Sequence, residues 1–280
     1  MSTTYNPATW ISNTSINDFV RCQKAYFLHN VYKDPKTGHR ISLINPYLAL
    51  GQSVHEVLEE LAVLNTEERF KKSLLERYED VWKKISGKKG GFASDQEEQS
   101  FKQRGQSMLQ RVMDNPGPLL NKAVRLKIID PSFPLPNFQF SVQDNIILSG
   151  KIDWMEYIPE TDSVHIIDFK TGKNEEDPNS LQLGIYCLLV KNLQKRNIHK
   201  VSYWYLDSEN KPTDVDMPDF DEMQLKILEI GQKIKKARAN REFDCIKNGC
   251  YACKPYQTII NGQAEFVGTV GYQDLFIEVK

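Results

Sequence analysis

Two apolar runs, 146–158 and 164–169, flank the tetrapeptide Pro159-Glu160-Thr161-Asp162, and no other stretch limits the fold as tightly. Both runs are rich in Ile, Val and aromatic residues, and a four-residue turn between such runs predicts an antiparallel hairpin. If Ile158 pairs with Ser163, Asp153 lies directly opposite Asp168. Opposed residues point to one face with Cβ atoms about 5 Å apart. Lys170, two residues beyond Asp168, projects from that face as well. Two carboxylates so placed repel unless a cation or a proton sits between them. Mg²⁺ and Mn²⁺ suit such oxygen ligands, and a nearby ammonium can orient water or offset charge growing on a phosphate. The hairpin therefore points to metal-assisted phosphodiester hydrolysis. The competing reading is a surface hairpin with a cross-strand ion pair.

The surrounding elements predict a mixed α/β chain without internal repeats. Ser12-Asn13-Thr14-Ser15 precedes Ile16, Phe19, Val20 and Phe27, which predicts a capped helix over 12–30 that includes Cys22. A second helix is expected from Leu50, with Val54, Val57, Leu58 and Leu61 as its buried stripe. His55 and Glu59 lie one turn apart beside that stripe; a Glu there serves as acceptor for His55 or is simply solvated. Residues 65–125 read as a helical insertion, broken at 87–91 and 115–118. The 13 basic and 9 acidic residues between Glu67 and Arg125 read as a solvated face. Pro131, Pro134 and Pro136 mark an extended crossing, after which Phe138, Phe140 and Val142 alternate as in a strand. A helix over 179–192, a strand over 201–206 and a helix over 223–243 complete the order.

With 36 Lys+Arg against 37 Asp+Glu, the chain is no globally basic nucleic-acid coat, although a local basic groove stays open. The 223–243 helix offers Lys226, Lys233, Lys235, Lys236, Arg238 and Arg241 against Glu229 and Glu242. It reads either as the wall of a DNA channel or as an ordinary solvated helix. Tyr203, Trp204 and Tyr205 offer stacking surface for single-stranded bases, but alternating strand aromatics are read as core. No run approaches the roughly 18 apolar residues of a membrane span, and the polar start lacks a signal-peptide core, so a cytoplasmic protein without a membrane partner is expected. The five cysteines are an odd set, and three follow the spacing Cys-x4-Cys-x2-Cys. In an unexported chain that cluster reads as metal or redox chemistry before disulfides. Cys187, in an apolar helix, reads as core.

Four motifs occur in order: Gly51-Gln52-Ser53-Val54-His55-Glu56-Val57-Leu58-Glu59, Gly150-Lys151-Ile152-Asp153-Trp154, Ile167-Asp168-Phe169-Lys170-Thr171-Gly172-Lys173 and Gln182-Leu183-Gly184-Ile185-Tyr186. Together they resemble the RecB-like branch of the PD-(D/E)XK nuclease superfamily. That branch includes the nuclease domains of bacterial helicase–nucleases and the CRISPR-associated exonucleases that trim spacers. The resemblance implies a restriction-endonuclease-like core, a mixed sheet flanked by helices, within a single nuclease domain over 1–280. It implies that His55, Asp153 and Asp168, with the backbone carbonyl of Phe169, bind Mg²⁺ or Mn²⁺. Lys170 would position or activate the attacking water, and Gln182 and Tyr186 would face the DNA and the active site. Members often hold an iron–sulfur cluster through one N-terminal and three C-terminal cysteines. Cys22, Cys245, Cys250 and Cys253 would supply the four thiolates of a [4Fe–4S] cluster, with a structural Zn²⁺ as the rival. Residues 244–254 would then form a cysteine-rich clasp closing onto Cys22. The implied activity is a metal-dependent DNA exonuclease acting on single strands or free ends in recombination, repair or replication, with a helicase or CRISPR adaptation partner. A CRISPR spacer-processing nuclease and a non-catalytic DNA-binding subunit are the alternatives.

Overall fold

The computed structural model describes residues 8–128 and 133–278; Pro131 lies outside them. The chain opens with β1 (Thr9–Ile11), α1 (Asn13–Arg21), α2 (Gln23–Tyr26), β2 (Arg40–Leu43) and α3 (Pro46–Leu61). Two further helices follow, α4 (Leu74–Trp82) and α5 (Asp95–Asp114). Strands β3 (Asn137–Ser141), β4 (Ile146–Ser149), β5 (Trp154–Ile158) and β6 (Ser163–Lys170) then lead to α6 (Gln182–Leu193). Next come β7 (Asn197–Tyr205), β8 (Thr213–Val215) and α7 (Phe220–Asn240). The last elements are α8 (Lys254–Ile260), β9 (Ala264–Val270) and β10 (Gln273–Glu278). They build three mixed sheets, ordered β1-β4-β3, β2-β10-β9 and β5-β6-β7-β8, flanked by helices in a restriction-endonuclease-like arrangement.

The hairpin has the expected register, from Ile158 opposite Ser163 to Trp154 opposite Ile167. The run before it needs correction. Residues 146–158 are not one strand: β4 pairs with β1 and β3, whereas β5 pairs with β6. The chain changes sheets across 150–153. A Cβ on Gly150 would come 2.8 Å from Leu189 Cδ1 on α6, so that bend packs too closely for a side chain. Asp153 thus sits at the crossing between two sheets, one residue before β5.

Helix boundaries also move: α6 and α7 shift by up to three residues from the expected 179–192 and 223–243, and two changes near the N-terminus have a local cause. The helix expected over 12–30 breaks at Cys22, whose backbone is extended (φ −167, ψ 117). The Cys22 sulfur then accepts from the Ala25 N–H and caps α2, and Phe27–Val31 forms a π-helical turn. A sulfur aimed at its own backbone is a capping device that apolar periodicity does not report. Helix α3 starts at Pro46 rather than Leu50. Asn45 caps it by accepting from Tyr47 and Leu48, and proline suits the first turn, where its missing N–H costs nothing.

Strand β6 separates two cores because successive side chains alternate across the sheet. Val164 and Ile166 pack with Leu188 of α6 and Ile227 of α7. Ile167 and Phe169 pack with Val54 of α3, Tyr78 of α4 and Met108 of α5. The helices within 65–125 therefore cover one face of the central sheet. Tyr203 and Trp204 are buried in these cores, as the core reading of those aromatics expects, and Cys187 is fully buried. On the α3–α5 face a polar chain crosses all four strands. His165 Nδ1 lies 2.8 Å from Glu156 and its Nε2 2.6 Å from Ser202 Oγ. Ser202 donates to Asp214, and Asn121 donates to Glu156.

Residues after Cys253, which the sequence pattern leaves without a role, form α8 and the β9–β10 hairpin. Strand β10 runs parallel to β2, so the end of the described chain is tied to its beginning.

Candidate active site

Helix α3 reaches the end of β6 by close approach: a Cβ on Gly51 would come 3.2 Å from Thr171 Oγ1. One turn further on, His55 Nδ1 lies 3.3 Å from Asp153 Oδ1. The other oxygen of Asp153 accepts the Phe169 N–H at 2.9 Å. Asp153 is therefore fixed between a helix and a strand, at the bend where the chain changes sheets. Glu59 pairs with Lys151, not with His55, yet donor atoms of His55, Glu59 and Asp153 all lie within 4.8 Å of one another. Asp168 is not a member of that tightest group. A cleft of about 390 Å³ opens beside Asp153, Glu59 and Lys151, with Val63, Leu126 and Pro136 on its apolar wall.

Asp168, Lys170, Gln182 and Tyr186 form one connected chain. Lys170 Nζ stands 3.0 Å from Asp168 Oδ2 and donates to Gln182 Oε1 at 2.7 Å. The Gln182 amide donates to Asp168 Oδ1 at 2.7 Å and to the Tyr186 hydroxyl at 3.0 Å. Gln182 and Tyr186 share a helix face at i, i+4, so α6 presents both to the strand end. Two neighbours escaped the sequence reading. Glu176 lies 2.5 Å from Lys170, and Tyr203 lies under the same ammonium, 4.9 Å from Nζ to the ring centre. Glu176 belongs to the loop after β6, where no period fixes which residue turns inward.

These surroundings set the charges. Burial is the main reason why the Asp168 carboxyl is raised to about 7; the Asp153 charge adds to it, and Lys170 only partly offsets it. Burial disfavours charge on His55, but Asp153, helped by Asp168 and Glu59, leaves it above the usual imidazole value. Lys170 likewise ends above its ordinary value, because Asp168 and Glu176 outweigh its burial. Burial, with the two aspartates, pushes the Tyr186 phenol far up, so it stays a neutral hydroxyl.

A divalent cation fits this set. Asp168 Oδ2 is buried, and its close neighbour is the Lys170 ammonium at 3.0 Å. A buried carboxylate, beside a second carboxylate and an imidazole, is the donor set that a hard or borderline cation satisfies.

The second ligand group is the clasp. Sulfur atoms of Cys22, Cys245, Cys250 and Cys253 lie within 4.8 Å of one another, and those of Cys250 and Cys253 are 3.8 Å apart. The Gly249 N–H donates to Cys245 and is the main reason why that thiol is lowered to about 6. Burial raises the Cys22 thiol to about 12. Four thiols so placed can hold zinc or an iron–sulfur cluster.

A mixed-sheet core of the restriction-endonuclease-like kind thus gathers His55, the two aspartates and Lys170 at one strand end. The profile of the PD-(D/E)XK nuclease superfamily matches residues 11–259, and the chain belongs to that superfamily of metal-dependent nucleases. No curated protein matches the chain significantly. Among the described residues no helix is long and apolar enough to cross a membrane.

Proposed function

We propose that the protein is a RecB-like exonuclease that hydrolyses DNA from single strands or free ends, in recombination, repair or replication. The observation that carries this reading is the unbroken contact chain Asp168–Lys170–Gln182–Tyr186, set beside His55 and Asp153. A non-catalytic DNA-binding subunit would have no need to keep two carboxylates, an imidazole and an ammonium together at a partly buried strand end, where desolvation is costly to the fold. His55, Asp153 and Asp168, with the Phe169 carbonyl, would hold Mg²⁺ or Mn²⁺. Such an ion supplies a more acidic water and neutralises charge on the phosphate. Lys170, held by Asp168, Glu176 and Gln182, keeps its proton and sets a positive charge beside the attacking water and the phosphate oxygens. Gln182 fixes the direction of that ammonium, and the Tyr186 hydroxyl holds Gln182 in place. A helicase or a CRISPR adaptation complex is the partner class that this branch suggests.

For the clasp we propose a [4Fe–4S] cluster. One observation favours a second reading: a tetrahedral zinc with Zn–S near 2.3 Å sets its sulfurs about 3.8 Å apart, the Cys250–Cys253 spacing. Visible absorbance lost in Cys250→Ser supports the cluster; a colourless protein with stoichiometric zinc establishes the second reading.

The activity test uses end-labelled linear and covalently closed DNA, single- and double-stranded, with Mg²⁺ or Mn²⁺ and beside Asp168→Ala. Metal-dependent loss of linear DNA alone, absent in the variant, is expected. Cleaved circles would show endonuclease action instead. No cleavage of any substrate by fully loaded protein would leave the binding-subunit reading.

A further inference from the structure

A groove of about 1140 Å³ lies between the C-terminal end of α7, the π-helical turn Phe27–Val31 and the start of the clasp. Four cations line it, Lys24, Lys235, Arg238 and Arg241, against one carboxylate, Asp244. Elsewhere surface lysines find acids: Lys72 and Lys83 share Asp80, and Lys84 pairs with Glu56. Among the described residues none of the four groove cations has a carboxylate within 4 Å. Like charges gathered on a concave surface repel one another, and that field favours a bound polyanion.

The shape and the floor narrow the occupant. The volume exceeds the range of roughly 300–1,000 Å³ for small-ligand pockets. Lys235 and Arg238 follow one another on α7 about 4.5 Å apart along the axis, and Arg241 ends the helix. That spacing lets successive cations meet successive phosphates of one strand, which carries one charge per roughly 3.4 Å of axis when stacked. Between the cations lie Phe27 and Phe243, half-buried, with ring centres 5.0 Å apart at 28°. Cations beside partly exposed aromatic rings suit a strand whose bases are free to stack, which a duplex does not offer. None of the lining residues belongs to the active site.

We propose that this groove is a second nucleic-acid contact, which grips a single strand by its phosphates while a base rests on Phe27 and Phe243. The proposal rests on the nuclease reading for its substrate, and the two can fail separately. Binding of a fluorescent oligothymidylate is measured by anisotropy in the Asp168→Asn background, which keeps the strand intact. Adding Lys235→Ala, Arg238→Ala and Arg241→Ala together should weaken binding about 30-fold and reduce the salt slope by about 2, three phosphate contacts at about 0.7 each. With Asp168 restored, the same triple variant should hydrolyse bis(p-nitrophenyl) phosphate, too small to reach the groove, at the unaltered rate. Unchanged affinity and slope would overturn the proposal. So would a polyglutamate peptide that competes as well as the oligonucleotide, which would assign the groove to an acidic protein segment. Groove-dependent binding by a protein that hydrolyses no diester would leave the groove standing and remove the nuclease reading. Arg241→Gly alone guards against misfolding. Arg241 holds φ 58, where glycine is favoured, so the variant should melt no lower than wild type yet bind about three-fold more weakly.

Discussion

Strand β6 carries a buried polar cluster on each face, and the two are built to opposite rules. On the α3–α5 face both nitrogens of His165 and both oxygens of Glu156 have partners. Glu156, His165 and Ser202 even reproduce the residue order of a hydrolase triad, but Ser202 is wholly buried and its hydroxyl serves Asp214. No substrate reaches it. On the α6–α7 face the polar atoms are also linked, but one buried oxygen of Asp168 has only the Lys170 ammonium, 3.0 Å away, beside it. The residue types do not separate structure from chemistry here; the setting does, because Asp168 is crowded by Asp153 and Lys170 at a strand end, whereas the Glu156–His165 chain is paired along its length.

Four substitutions or titrations sharpen that contrast. The largest effect expected is from Asp168→Asn, which should lower cleavage about 10²–10³-fold while leaving the urea midpoint unchanged or higher, since a costly buried charge is removed. His165→Ala should do the reverse. It strands the buried Glu156 and should cost about 3 kcal/mol in urea unfolding, with cleavage per folded molecule intact. Stability of the metal-free protein should respond to pH in opposite directions on the two faces. Asp168 is raised when folded, so its contribution is complete below the unfolded value of 3.8 and is lost as pH rises through about 7. Burial alone would raise Glu156, but its bonds to His165 and Asn121 leave it below 4.5; its contribution is present above that value and is lost on acidification. Asp168→Asn should flatten the upper slope and Glu156→Gln the lower one, read by thermal melting across pH. The smallest effect is at the rim: Lys200→Ala, which breaks an exposed pair with Asp214, should cost about 0.2–1 kcal/mol.

The same contrast explains what was legible in the sequence. Alternation and one turn were enough to set the β5–β6 register and so to place Asp153 near Asp168, because both depend on residues less than twenty apart. The Gln182–Tyr186 spacing is equally local. What escaped depends on distant or irregular backbone. Strands β1 and β2 are three or four residues long and pair in parallel with β4 and β10, so no local pattern announces them. The change of sheet at 150–153 hides inside one apolar run. Glu176 reaches Lys170 from a loop, and the Cys22 break interrupts a helix whose apolar spacing continues through it. The polar network of His165 left no motif at all, since its members come from four strands.

The clasp has a consequence for how the molecule matures. His55, Asp153, Asp168, Lys170 and Gln182 have all been synthesised by Tyr186, but Cys245 follows Cys22 by more than 220 residues. At translation rates of about 5–20 residues per second, the first thiol waits roughly ten to forty-five seconds for its partners. The β2 edge waits longer still for β10. A nascent chain therefore carries the His55–Tyr186 cluster well before Cys22 can meet the three cysteines that lie beside it in the fold.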